Sequence, residues 1–237
     1  MRIPQGVNNR ELYTKRLRQF EEEVGVYPVS CEKLAAGRSD REWLDRVIAG
    51  GARIVQLRDK ESNDRELLAK AIYFRQKTRE ADVLFFLNDR LDIALLADAD
   101  GMHVGQKDLP AGEIRKLAPD ILIGHSCNTE EQTKALGSAV DKDESAVSYY
   151  NIGPLFKTGT KEGLHHFLGA EGIAAFSCHC SLPFTVMGGI KLQHLDALLT
   201  AGAKRIAVVT AISQAEDMAA ETAIWQQRIK GESNAQC

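Results

Sequence analysis

The chain has 237 residues with a formal net charge of −3, which leaves no basic excess for a nucleic-acid or polybasic membrane surface. Apolar residues make up 44% and charged residues 27%, a balance that supports a large core and argues against disorder. The five cysteines (31, 127, 178, 180 and 237) fit no disulfide framework, and no apolar run approaches the roughly 20 residues of a membrane span, so a cytoplasmic enzyme with free thiols is expected.

The first segment, MRIPQGVNNRELYTKRLRQFEEEV, is charged and helical in pattern, unlike a signal peptide, and predicts a helical extension over residues 1–24. Residues 25–237 are expected to form one catalytic domain. GVYPVS reads as the first strand, and DREWLDRVIAGG as the helix after it. RIVQLRDK (53–60) is strand-like through Ile54, Val55 and Leu57, and the following helix carries Leu67, Leu68, Ala71 and Ile72 at helical spacing. The alternation continues through VLFFLND, the helical LDIALLADA, GMHVGQ, AGEIRKLA, ILIGHS, TEEQTKAL and AVSYYNIGP. A Gly-rich loop then leads to GAEGIAAFSC, PFTVMGG, LQHLDALLTAG, RIAVVTA and one amphipathic helix through Ile229.

About eight such units, with no Pro/Ser linker between them, predict an α/β fold: a single (β/α)8 TIM barrel with an extra N-terminal helix. No G-x-G-x-x-G follows the first strand, which disfavours a dinucleotide-binding open sheet. In a barrel the chemistry gathers where strands end and βα loops begin. The residues at those positions are Gln56, Arg58 and Lys60, then Asn88 and Asp89, then Gln106 and Asp108, then Ser126. Thr158, Thr160 and Lys161 follow strand 6, Gly188 and Gly189 strand 7, and Thr210 strand 8.

Asp89 and Asp108 leave neighbouring strands, so their carboxylates can meet, and two carboxylates with open coordination positions suit Mg²⁺. The competing reading makes Asp89 a helix cap and Asp108 an ordinary loop residue. Arg58 and Lys60 alternate with Gln56 and face one side, with Lys161 joining them; three cations at one rim favour an anion such as a diphosphate. The alternative is a solvated charged loop. GPLFKTGTKEG (153–163), MGGI (187–190) and VVT (208–210) offer a second, metal-free phosphate site, although glycines at turns are weak signals alone.

Other eye-catching residues are discounted. Cys178-His179-Cys180 lacks a second pair to complete a metal site, and His165 and His166 sit in a loop. Cys127 has no evident base beside it, His125 is expected to point outward, and His103 to pack or hydrogen-bond inside strand 4.

Taken in order, QLRDK, LNDRLDIALLADADGMHVGQKDLP, IGHS, NIGPLFKTGTK, MGGI and AVVTAIS resemble the thiamine-phosphate synthase family, over about residues 26–212. The resemblance implies a transferase that joins a hydroxymethylpyrimidine diphosphate to a thiazole phosphate, with diphosphate leaving before the thiazole nitrogen attacks. It implies that Gln56, Leu57, Arg58, Asp59, Lys60, Asn88, Ser126 and Lys161 bind the pyrimidine diphosphate. Asp89 and Asp108 would hold Mg²⁺, while Thr158, Gly159, Thr160, Gly189, Val209 and Thr210 would bind the thiazole phosphate. Arg58, Lys60, Ser126 and Lys161 would form the catalytic set. The partners implied are these two small molecules, without nucleic acid or membrane. Three departures stand out: Asn128 where relatives often carry histidine, Lys157 where the phosphate loop usually has proline, and about six extra residues around 142–146. A thiazole tautomerase-like isomerase and a non-catalytic precursor sensor are the alternatives; Asn128 counts against the first, and Asp89, Asp108 and Lys161 against the second.

Overall fold

The computed structural model describes residues 8–159 and 166–233. Its strands are β1 (Val26–Pro28), β2 (Ile54–Leu57), β3 (Leu84–Asn88), β4 (Gly101–Val104), β5 (Leu122–Cys127), β6 (Tyr149–Ile152), β7 (Phe184–Val186) and β8 (Ile206–Val208). Helix α1 (Asn9–Glu23) precedes them. Between them lie α2 (Asp40–Ala49), α3 (Asp64–Glu80), α4 (Leu91–Leu96), α5 (Ala111–Leu117), α6 (Glu130–Asp141), α7 (Gly172–Ser177) and α8 (Leu195–Thr200). After β8 come α9 (Thr210–Ser213) and α10 (Met218–Ser233).

All strand pairs are parallel, in the order β1-β8-β7-β6-β5-β4-β3-β2. The ring closes where Val29 bridges Gln56 and the Ser30 amide donates to the Gln56 carbonyl at 2.8 Å. The expected barrel is therefore observed.

Side chains on a strand alternate between faces, and the burial follows that period of two. Ile54, Leu84, Phe86, Leu122 and Tyr149 fill the barrel interior. Their neighbours Val55, Phe85, Leu87, Ile123 and Tyr150 pack outward under the helices. Gly101 and Gly124 face inward and make room for the aromatic layer: a Cβ on either would come within 2.2 Å of the Phe86 or Tyr149 ring.

Helix α1 seals the floor of the barrel. Phe20 is fully buried, with its ring 4.5 Å from that of Tyr149 and beneath the Arg205 guanidinium. The polar side of α1 is matched as well, since Arg16 bridges Asp100 at 3.0 Å and Asp120 at 2.6 Å. The charged N-terminal pattern thus reflects a helix paired to the strand-start end, remote from the rim.

Two elements differ from expectation. The terminal helix is two helices, because the Asp217 carboxylate accepts from the amides of Ala219 and Ala220 and starts α10 afresh. Strand 8 stops at Val208, so Thr210 opens α9 instead of ending a strand. The extra residues at 142–146 connect α6 to β6 at the floor, where Arg115 donates to the Ala146 carbonyl.

Candidate active site

The inward period of β2 carries Gln56 into Arg58 and Lys60, but the two cations part at the rim. Arg58 lies near Cys31, with Nη1 3.8 Å from its sulfur, and lines a rim cavity with Ser126, Thr158, Gly189, Val209 and Thr210. Lys60 instead reaches the Asp89 carboxylate at 3.1 Å. Leu57 and Asp59, on the opposite period, turn away. Leu57 is fully buried in the outer core, and Asp59 pairs with Lys70 at 2.6 Å. Either reaches a rim ligand only through its main chain.

Asp89 and Asp108 come together as expected. Burial and the adjacent Asp108 charge push the Asp89 carboxyl above its ordinary range, against the opposing pull of Lys60. The helix-cap reading of Asp89 fails: α4 has Arg90 at its cap position with no side-chain cap bond. Asp89 also holds a left-handed backbone, φ +62°, which aspartate tolerates better than most residues and which is common where a side chain is aimed for function. Asp108 is oriented by the Gly105 amide, which donates to Oδ2 at 2.7 Å. The donor set is two carboxylates of like charge, with one cation among the described residues, Lys60, placed against Asp89. That arrangement fits a divalent ion such as Mg²⁺.

On the other side of the cavity, the loops after β6 and β7 are joined main chain to main chain. Leu155 donates to the Met187 carbonyl and Phe156 to the Gly188 carbonyl, each at 2.9 Å. Gly189 has φ +62°, and a Cβ there would sit 2.3 Å from the Lys157 carbonyl. Glycine is required for this seam, and the seam fixes the loop although Lys157 stands where relatives have proline. Thr158 lines the cavity and Gly159 next to it has open space at its Cα. Thr160 and Lys161, like His165, lie outside the described residues.

Asn128 acts as a tie between loops: its Nδ2 donates to the Gly153 carbonyl at 2.6 Å and its amide to Gln132 at 2.7 Å. The adjacent Cys127 is buried, which raises its thiol to about 11 and leaves it unreactive at neutral pH. Cys178 is exposed and donates to the Ala175 carbonyl, and His179 stands 3.8 Å from Glu130. Burial lowers the His125 imidazole.

The hydrogen bonding expected of His103 inside strand 4 is observed, and the partners it joins were not foreseen. Asn88 pairs in register with His103, and His103 Nε2 lies 2.9 Å from Ser126 Oγ while Nδ1 lies 3.1 Å from the Tyr149 hydroxyl. The signal was present in the sequence: Gly101, His103 and Gly105 share one period of strand 4. Gln106 adds a second brace, donating to the Ser126 carbonyl at 2.6 Å.

Residues 26–212 match the family model described as thiamine monophosphate synthase. A thiamine-phosphate synthase of Pelotomaculum thermopropionicum is 38% identical over 200 residues, covering 84% of this chain and 89% of the relative. One from Chloroflexus aurantiacus is 37% identical, covering 82% and 88%. Among solved structures, thiamine phosphate pyrophosphorylase from Pyrococcus furiosus superimposes with a TM-score of 0.78 at 29% identity, covering 90% of this chain and 98% of that one.

Proposed function

The chain belongs to the thiamine monophosphate synthase family and is a transferase that makes thiamine phosphate, and we propose that its two anion-binding sides divide the substrates between them. Hydroxymethylpyrimidine diphosphate takes the side of Lys60, Asp89, Asp108, Asn88 and Ser126. The thiazole phosphate takes the side of Thr158, Gly159, Gly189, Val209 and Thr210. Thr160 and Lys161 join these two sets by their sequence positions. The observation that carries this reading is a rim cavity that joins Ser126 and Arg58 to the Gly189 and Thr210 loops, at the same strand-end rim as the Asp89–Asp108 pair.

Asp89 and Asp108 would hold Mg²⁺, which would neutralise charge on the leaving diphosphate. The remaining work falls to side chains. The bond between the pyrimidine methylene and its diphosphate oxygen breaks with both electrons leaving on oxygen. Lys60, Lys161 and Arg58 stabilise that developing charge electrostatically, with no proton transfer needed. The thiazole nitrogen then donates its lone pair to the methylene carbon. The seam between the loops after β6 and β7 fixes the phosphate end, so that the nitrogen faces the carbon.

The isomerase alternative needs a base near Asn128, and that amide is committed to the Gly153 carbonyl. Among the described residues no helix is long and apolar enough to cross a membrane. The cytoplasm is the compartment we propose, on the cysteine pattern and the phosphorylated substrates. Mixing both substrates with Mg²⁺ and weighing the products tests the assignment. Thiamine phosphate and free diphosphate are expected; an isomerised thiazole phosphate formed without the pyrimidine substrate would overturn it.

A further inference from the structure

Five side chains cross the barrel interior in one hydrogen-bonded line from Gln56 on β2 to Ser126 on β5. Gln56 Nε2 donates to the Tyr27 hydroxyl at 2.8 Å, and the Tyr27 and Tyr149 hydroxyls are 3.3 Å apart. Tyr149 meets His103 Nδ1 at 3.1 Å, and His103 Nε2 meets Ser126 Oγ at 2.9 Å. Both tyrosines are buried at the centre of the barrel, Tyr27 at 1% exposure and Tyr149 at 0%. Burial raises both phenols, so each keeps its single proton at neutral pH.

The sense of the line follows from counting protons. An amide nitrogen only donates, so Gln56 occupies the Tyr27 oxygen as an acceptor. The Tyr27 proton then has Tyr149 as its acceptor, because the hydrogen bonds of Tyr27 among the described residues are to Gln56 and Tyr149. The Tyr149 proton passes in turn to His103 Nδ1. A ring that accepts at Nδ1 carries its proton on Nε2 and donates it to Ser126 Oγ. With its oxygen already accepting, Ser126 has its own proton to give, and Ser126 lines the cavity.

We propose that His103 is a positioning residue: held as the Nε2–H tautomer by the Gln56–Tyr27–Tyr149 line, it presents the Ser126 hydroxyl to the cavity as a hydrogen-bond donor. A directed donor suits an acceptor or anionic oxygen on the bound substrate. That functional part rests on the synthase reading above, whereas the tautomer does not. The orientation also links Ser126 to Gln56 across the barrel, so one structural line sets two groups that the sequence assigns to the same substrate.

Nitrogen-15 NMR of histidine-labelled full-length protein at neutral pH, with the His103 signals assigned through His103→Gln, reads the tautomer without any turnover. Protonated Nε2 and bare Nδ1 are expected. A proton on Nδ1 would overturn the proposal, since it means that the Gln56 amide is turned about and the whole line runs the other way. Kinetics supply the second arm. Tyr149→Phe removes the donor to Nδ1 and should lower kcat about tenfold, the scale of one directed hydrogen bond, with KM for the thiazole phosphate unchanged. In a Ser126→Ala background the same substitution should cost nothing further, because both act through one hydroxyl. Losses that simply multiply would reject the link. Should Tyr149→Phe fail to fold, Tyr27→Phe interrupts the line one step earlier and carries the same test. Absence of product from the wild-type enzyme would count against the synthase reading and leave the NMR result standing.

Discussion

Two groups of carboxylates lie beyond the ends of β1 to β4, and they have opposite designs. Glu32, Asp40 and Asp59 have ligand atoms all within 4.8 Å of one another, which resembles a metal site. Their centre is already filled. Lys70 Nζ lies 2.5 Å from Glu32, 2.6 Å from Asp59 and 2.9 Å from Asp40, so the protein supplies its own cation. Among the described residues, the pair Asp89 and Asp108 has one cation against it, Lys60 on Asp89, with more than half of its side chain exposed. A compensated cluster holds structure together; a half-compensated pair attracts a ligand. Counting acidic residues alone favours the first group, whereas counting the cations around them favours the rim pair that we propose as the metal site.

The largest effect that sharpens this contrast is on turnover. Asp89→Ala or Asp108→Ala should lower kcat on the order of a thousandfold with the fold intact, and the double variant should be little worse than either. Chelation of divalent ions should produce the same loss, reversed by added Mg²⁺, while the thermal unfolding midpoint stays put. A chelator that lowers the midpoint would mean that a cation also holds the fold.

Breaking the other cluster should strike stability. Lys70→Ala leaves Asp40 and Asp59 buried without their cation, at 1% and 5% side-chain exposure. Urea unfolding should show a loss of roughly 3 kcal/mol, at the low end for a broken buried pair because Lys70 itself is 21% exposed. The loop bearing Arg58 and Lys60 hangs on the same anchor through Asp59, so KM for the pyrimidine diphosphate should rise as well.

A smaller effect concerns pH. Burial raises the Asp40 carboxyl to about 6, although Lys70 opposes it, so the folded form binds this proton more tightly than the unfolded chain does. That contribution is complete below the ordinary value of 3.8 and is lost as pH rises through about 6. Wild-type stability should therefore fall relative to Asp40→Asn across that window, on the order of 1 kcal/mol for each unit that the two values are apart. Parallel stability curves from pH 4 to 6 would show that Asp40 is not held this way.

The barrel was legible because strands buried on both faces write short apolar runs, and because period two in β2 separates Gln56 and Arg58 from Leu57 and Asp59. The Asp89–Asp108 convergence was legible from adjacent strand ends. Side-chain direction beyond the last strand residue was not. Nothing in R-D-K reveals that Arg58 turns towards the cavity with Thr210 while Lys60 turns to Asp89. The His103 pairing was hidden for a different reason. Its partners, Ser126 and Tyr149, come from β5 and β6, and only closure of the barrel brings three strands' inward residues into one line. The break between α9 and α10 rests on a capping aspartate, Asp217, inside an otherwise continuous helical pattern.

Mn²⁺ titrated with inorganic diphosphate and followed by electron paramagnetic resonance tests most directly which carboxylates receive the cation. Wild type and Asp40→Asn should bind one ion with similar affinity, and Asp108→Ala should lose that binding. Binding that survives Asp108→Ala but disappears in Asp40→Asn would place the ion in the Lys70 cluster and contradict the assignment of the rim pair.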